Sequence, residues 1–201
     1  MIKAILFDFD GVLTIDKTGS QSITTYLAKS SGISLEIIRK NYYKYNNDLL
    51  YGKITHKQMW QDFCQDIGKQ LDYAMLTDAF KNTKLDLEMI AFLKELKCNY
   101  LIGMITDNKC DRIDTILEFN KLRPFFDVIS ISAEYHLGKE DKPIFEGTFA
   151  KLNVFPNECI FIDNIEKNLM IPQKMGVSTI LFDDEKRNIL KFKKQLENCL
   201  S

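Results

Sequence analysis

The sequence predicts an α/β protein: a doubly wound, Rossmann-like parallel sheet with an all-helical insertion. Two observations predict this fold class. Five short apolar runs lack the alternation of a half-exposed strand, and continuous apolar character is typical of strands that are covered on both faces. Four helix-patterned segments lie between the five runs, and alternating strands and helices are typical of doubly wound folds.

The predicted strands are the runs rich in β-branched and aromatic residues, and each is followed by a polar residue. They cover residues 2–7, 100–105, 128–131, 160–162 and 179–182. The helices predicted beside them cover residues 86–97, 108–120, 142–152 and 165–175. The last helix precedes Gly176, a common residue after a helix end. Pro172 lies inside it and is expected to kink or break it.

The stretch from about 18 to 84 departs from this alternation, because it carries helix signals and no convincing apolar strand. Ser34 is positioned to cap one helix, and Thr55 with Gln58 has the spacing of a capping box before another. No Pro, Gly or Ser-rich linker separates the stretch from the rest. We therefore predict a sheet domain formed by residues 1–16 and 85–201, and a helical insertion at 17–84.

Composition excludes several function classes. Apolar residues make up 45% of the 201 residues and charged residues 27%, unlike the composition of disordered chains. Lys plus Arg number 27 and Asp plus Glu 28, so no global basic field favours nucleic acid or an anionic membrane. Five cysteines without a CxxC pair argue against a disulfide framework or a thiolate zinc site. With no secretory signal pattern at the N-terminus and no apolar stretch long enough to span a membrane, we expect a cytoplasmic protein.

Ligands of open α/β sheets bind at the carboxyl ends of the strands, so the polar residues at those ends form the first candidate site. They are Asp8, Thr106, Asp163 and Asp183. Asp8 and Asp10 alternate on an extended segment and should point the same way. Two neighbouring carboxylates repel unless a cation or a shared proton offsets them, which favours a metal site or paired acid/base chemistry. A pair of solvated loop aspartates is the alternative.

Four segments occur in an order that resembles the haloacid dehalogenase (HAD) superfamily of phosphohydrolases. They are DFDGVLT at 8–14, ITDN at 105–108, KEDKPIF at 139–145 and FIDN at 161–164. The resemblance covers nearly the whole predicted sheet domain, and the helical insertion matches the cap that many members carry between the first two motifs. An ordered match of four segments is far more specific than a single short motif.

The resemblance implies a magnesium-dependent phosphatase acting on a small phosphomonoester. Asp8 would attack phosphorus to form an aspartyl-phosphate, and Asp10 would protonate the leaving oxygen and later take a proton from water. Magnesium would be held by Asp8, the backbone carbonyl of Asp10 and Asp163. The residues implied in phosphate binding are Thr106, Asp107 and Lys139, of which Thr106 and Lys139 also count as catalytic.

Alternatives stay open at several of these positions. Thr106 is also a candidate cap for the helix predicted near Asn108, and a shift of alignment would give the role of Lys139 to Lys142. Asn164 stands where many relatives carry a second carboxylate. Because an asparagine brings no charge, metal binding would be weaker. A sugar phosphomutase is the closest alternative function, and a catalytically retired phosphate-binding protein is a further one. Carbon–halogen hydrolysis is not expected, because it would not require an acid at Asp10.

Overall fold

The protein, described here over residues 1–200 of a computed structural model, folds around one five-stranded sheet. The strands are β1 (Ala4–Phe7), β2 (Leu101–Thr106), β3 (Val128–Ile131), β4 (Cys159–Asp163) and β5 (Ser178–Leu181). Their order is β3-β2-β1-β4-β5, and all four neighbouring pairs are parallel. The predicted α/β fold class is confirmed, and each predicted strand overlaps an observed one.

Ten α-helices occur among the described residues. They are α1 (Gly19–Ser31), α2 (Leu35–Leu50), α3 (His56–Asp66), α4 (Ala74–Lys81), α5 (Leu87–Leu96), α6 (Cys110–Phe119), α7 (Ser132–Tyr135), α8 (Lys142–Leu152), α9 (Glu166–Lys174) and α10 (Ile189–Leu200). Ser34 caps α2 by accepting from the Ile37 amide, and Thr55 and Gln58 form the predicted capping box at the start of α3. Nowhere in residues 1–200 is a helix both long and apolar enough to cross a membrane.

Successive residues of β1 explain why the predicted strands are apolar throughout. Ile5 and Phe7 point into one hydrophobic cluster, and Ala4 and Leu6 point into a second cluster on the other face of the sheet. The first cluster also contains buried residues of α1 to α4, so the helices of the insertion share a core with that face. Helices thus cover both faces of the sheet, which leaves its carboxyl edge for polar side chains.

Pro172 does not break α9, so the predicted break at this position was wrong. The helix continues to Lys174. A proline removes one backbone donor, but the carbonyl of Pro172 still accepts from the amides of Met175 and Val177. Because Pro172 lies in the last turns of α9, few bonds depend on it.

Candidate active site

Asp8 follows β1 directly, and its amide donates to the carbonyl of Ile162 in β4 at 2.8 Å, which continues the sheet pairing. Three residues later the chain turns at Gly11, whose φ of 81° lies in the left-handed region that favours glycine. The Gly11 amide donates to Thr14 Oγ1 at 3.0 Å and closes the turn. The sheet and this turn therefore fix the positions of Asp8 and Asp10.

Lys139 links the ends of two strands. Its Nζ donates to Asp8 Oδ1 at 2.8 Å and to Asp163 Oδ2 at 2.6 Å. Its backbone amide donates to Asp107 Oδ1 at 3.0 Å, so Asp107 holds the Lys139 loop against the end of β2. Burial opposes the charge on Lys139, but the three carboxylates together raise its pKa above the ordinary lysine value. Lys139 is therefore a buried cation at the centre of an anionic cluster.

Burial also raises the pKa of two carboxyl groups in this cluster. It raises the pKa of Asp8 to about 8, although Lys139 opposes the shift. Burial likewise raises the pKa of Asp107, again against the effect of Lys139. Asp163 is fully buried behind Lys139, and its oxygens accept from the Ile165 amide at 2.7 Å and from Asn168 Nδ2 at 3.1 and 3.2 Å. These contacts fix the orientation of the Asp163 carboxylate.

The Asp10 side chain turns towards α6 and pairs with Arg112. Nη2 of Arg112 donates to Asp10 Oδ1 and Nη1 to Oδ2, both at 2.8 Å. Asn108 Nδ2 donates to the same Oδ2 at 2.7 Å. Arg112 is fully buried, and a Cβ added at Gly19 in α1 would lie 2.5 Å from its Nη1. A bidentate guanidinium–carboxylate pair is strong and directional, so Arg112 sets the orientation of Asp10.

A cavity of about 260 Å³ opens at this edge of the sheet. Five of the predicted site residues line it, namely Asp8, Asp10, Thr106, Asp107 and Lys139. Residues of the helical segment close its other side, among them Thr18, Gly19, Ser20, Tyr43, Asn46 and Leu50. The cavity therefore lies between the strand ends and the predicted insertion, which is where open α/β sheets bind ligands.

The structure also decides the alternatives at Thr106 and Lys142 and places Asp183 outside the cavity. Thr106 is not a helix cap, because α6 begins at Cys110 with Lys109 before it and no side-chain cap bond. Lys142 is exposed in the first turn of α8. Asp183 does not join the site: it is exposed and accepts from the amides of Glu185 and Lys186 in its own turn. β5 lies at the edge of the sheet, and this explains the separation.

The donors at this edge fit a magnesium ion. Asp8 and Asp163 both contact the same ammonium group, so two carboxylates converge there. Asn164 Oδ1, packed against Gly11, is buried without a hydrogen-bond partner and would be satisfied by a cation or its water. Within residues 1–200 no group of three or more His, Cys, Asp or Glu side chains gathers as a metal cluster. Magnesium needs only one or two carboxylates, because it keeps several waters.

Sequence reasoning missed several side chains of this site. Arg112 and Asn108 hold Asp10, and Lys109 reaches across the cavity to Ser20 and Asn46. The single available signal was their position at a strand end: Asn108 is the last residue of ITDN, and Lys109 and Arg112 follow it within four residues. Asn168, which donates to Asp163, lies four residues after the FIDN segment and was assigned no role from the sequence.

The chain also resembles known proteins in sequence and in fold. The family described as haloacid dehalogenase-like hydrolase matches residues 5–182. Glyceraldehyde 3-phosphate phosphatase of Methanocaldococcus jannaschii is 25% identical over 90% of this chain and 84% of its own length. Bifunctional epoxide hydrolase 2 of Sus scrofa is 26% identical over 91% of this chain, and the match spans 37% of that longer protein.

Among solved structures, a variant of a HAD family enzyme from Bacteroides thetaiotaomicron, in complex with magnesium and inorganic phosphate, has a similar fold. The TM-score is 0.76 at 19% identity, over 92% of this chain and 95% of that one. At this identity the similarity establishes the fold alone. Because the family match extends over most of the sequence, from β1 to beyond β5, the chain belongs to the haloacid dehalogenase-like hydrolase family.

Proposed function

We propose that this protein is a magnesium-dependent phosphatase that hydrolyses a small phosphomonoester through an aspartyl-phosphate. The position of Asp8 carries the proposal: its carboxylate lies at the end of β1, lines the cavity and accepts a hydrogen bond from Lys139. The relatives support phosphoryl chemistry, since one is a phosphatase and a similar structure holds magnesium and inorganic phosphate.

In the proposed first step, a carboxylate oxygen of Asp8 attacks phosphorus, and the bond from phosphorus to the leaving oxygen breaks. Lys139 binds Asp8 Oδ1, so we assign the attack to Oδ2. Asp10 gives a proton to the leaving oxygen. In the second step Asp10 takes a proton from water, the water oxygen bonds to phosphorus, and inorganic phosphate leaves while the Asp8 carboxylate is restored.

Other residues have supporting roles in this mechanism. Lys139 and Thr106 would contact the phosphoryl oxygens, and Asp107 would keep the Lys139 loop in place and offer its own backbone N–H. Magnesium, held by Asp8, Asp163 and the Asp10 carbonyl, would supply positive charge against the phosphoryl oxygens. To pass a proton, the Asp10 carboxyl must part from Arg112, so the transfer includes a rearrangement of that pair.

The test is phosphate release from a panel of phosphomonoesters, with magnesium and with excess chelator, by the wild type and by Asp8→Asn. We expect turnover that needs magnesium and falls to background in Asp8→Asn. Asp183→Asn is the matched control, because Asp183 also follows a strand but lies in an exposed turn, and it should keep wild-type turnover. Persistent turnover in Asp8→Asn, or halide release from 2-haloacids without any phosphate release, would contradict the proposal.

A further inference from the structure

The cavity has a second polar end, on the side of the helical segment. Lys109 Nζ donates there to Ser20 Oγ at 3.0 Å and to Asn46 Oδ1 at 2.8 Å, and Ser20 Oγ donates to the same Asn46 oxygen at 2.6 Å. We name these three side chains the Lys109 cluster. All three line the cavity together with Asp8 and Asp10, so the cluster faces the space that a leaving group would occupy.

The charge of Lys109 is not balanced in the way that the charge of Lys139 is. Lys109 is only 4% exposed, both of its hydrogen-bond partners are uncharged, and no carboxylate pairs with it in residues 1–200. Burial, with a smaller contribution from Arg112, lowers its pKa to about 7. A buried cation without a direct counter-ion is costly, and an anion that entered the cavity would remove part of that cost.

The hydrogen-bonding capacity of the cluster also suits an anion. A lysine ammonium has three donors, and two of them bind Ser20 and Asn46. Because Lys109 can only donate, the Asn46 atom that it contacts must be the amide oxygen, so the Asn46 NH₂ group is a further donor. The cluster therefore offers N–H donors to a ligand. A carboxylate accepts such bonds, and charge makes them stronger.

The cavity also has room for a small anionic leaving group beside the phosphoryl group. At roughly 30 Å³ for each water-sized group, a cavity of about 260 Å³ holds about nine non-hydrogen atoms. A phosphoryl group would use four, which leaves about five for the leaving group by the same estimate. That is enough for a short chain that ends in a carboxylate.

We propose that the Lys109 cluster is a carboxylate subsite and that the substrates are small phosphate esters of hydroxy acids. This inference rests on the proposed phosphatase function. Asp8 would engage the phosphoryl end of such a substrate, and Lys109 with Asn46 would hold its carboxylate end. Specificity would then arise jointly from α2 of the insertion and from the residue directly before α6.

The kinetic test compares substrates of matched size with and without a carboxylate: 2-phosphoglycolate against 2-hydroxyethyl phosphate, and 3-phosphoglycerate against glycerol 1-phosphate. The wild type should prefer the carboxylates. Lys109→Met should lower kcat/KM for them about ten- to hundredfold, the range for loss of a charged hydrogen bond, mainly through KM. The same variant should change kcat/KM for the neutral esters by less than about threefold. Lys142→Met, at an exposed lysine, is the matched control.

A second variant tests the subsite independently if Lys109→Met does not fold. Asn46→Asp places a carboxylate beside Lys109, which would neutralise it and repel the substrate. Asn46 is half-buried, and we expect Asn46→Asp to raise KM for the carboxylate substrates selectively. Equal losses for neutral and carboxylate esters in both variants, or no preference in the wild type, would overturn the subsite.

Binding to the Asp8→Asn variant separates the two proposals, because calorimetry there needs no turnover. Binding of 2-phosphoglycolate in preference to 2-hydroxyethyl phosphate, lost on adding Lys109→Met, supports the subsite even if the wild type hydrolyses neither ester. That result would count against the proposed phosphatase function and would leave the carboxylate subsite supported. Magnesium-dependent hydrolysis without any effect of Lys109→Met on either binding or KM refutes the subsite and leaves the phosphatase function intact.

Discussion

Arg112 is fully buried, and its two terminal nitrogens bind both oxygens of Asp10. The pair joins the loop after β1 to the first turn of α6. Desolvation makes such a pair costly to assemble, but removing one partner costs still more, because the other charge is left buried and unpaired. Arg112 therefore has a structural effect that can be separated from any role in catalysis.

We expect Arg112→Met to lower the free energy of unfolding by about 3–5 kcal/mol. Adding Asp10→Asn should restore part of this loss, because the unpaired buried charge is then removed. Urea denaturation of the wild type, both single variants and the double variant measures the coupling. Arg123→Met is the control: Arg123 pairs with Asp114 on the surface, where both side chains are more than half exposed, and it should cost less than about 1 kcal/mol. Strictly additive losses at positions 10 and 112 would contradict the prediction.

Lys109 predicts a pH dependence of stability. Burial lowers its pKa from the ordinary lysine value of 10.5, which applies to the unfolded chain, to about 7 in the folded protein. Between these values the unfolded state binds the extra proton, so stability rises with pH, and below pH 7 the penalty for burying the charge is complete. Arg112 adds to this lowering of the pKa, and Asp10 and Asp111 oppose it.

The measurement compares the wild type with Lys109→Met, which has no titrating group at this position. From pH 7 to 9 the unfolding free energy of the wild type should rise by about 2 kcal/mol relative to the variant, at about 1.4 kcal/mol for each pKa unit. Urea denaturation at several pH values gives the difference, in which contributions from the other titrating groups largely cancel. A difference that stays flat or falls over this range would contradict a lowered pKa at Lys109.

At the scale of elements, the strands could be predicted because helices on both sides make each strand apolar throughout. Residues 128–131 and the helix at 142–152 match β3 and α8 at both ends. The start of α6 was predicted less well, at 108 instead of Cys110. There the amide of Asn108 donates to Ser132 Oγ and its side chain to Asp10, so tertiary contacts keep this residue out of the helix.

This shift at α6 also explains which site residues were missed. Asp8, Lys139 and Asp163 belong to motifs that resemble a known family, and the first and last of them end predicted strands. Arg112 and Lys109 carry no such signal, since a charged residue near a helix start is by default taken as exposed. Their burial depends on side chains of α1 and α2 that accept hydrogen bonds from them, and no local pattern in the sequence encodes those contacts.

At the scale of the whole molecule, the two chain segments that join the helical segment to the sheet lie side by side. Ile15 donates its amide to the Lys84 carbonyl at 2.8 Å, and the Asp86 amide donates to the Leu13 carbonyl at 2.9 Å. Any movement of the helices relative to the sheet has to pass through these paired segments. Such movements commonly admit substrate and exclude water in enzymes with lids.

Arg187, in the segment before α10, clamps this junction from outside. Its Nη1 and Nη2 donate to the carbonyls of Gly11 and Val12 at 2.8 and 3.0 Å, and Nη2 also binds Asp86 Oδ2 at 2.7 Å. One side chain thus holds the segment that leaves the sheet and the segment that returns to it. We therefore expect Arg187, which lies outside every motif, to limit how freely the junction opens.

We expect Arg187→Met to loosen the junction without unfolding the sheet. The amides of Ile15 and Asp86 should exchange with deuterium about tenfold faster or more, as expected when bonds from a charged donor are lost, while amides inside β1 and β4 keep their protection. Lys186→Met, at an exposed neighbouring lysine, should leave both rates unchanged. Unchanged exchange at Ile15 and Asp86 would show that the paired backbone holds the junction alone. Faster exchange throughout β1 would instead make Arg187 a support of the whole sheet domain.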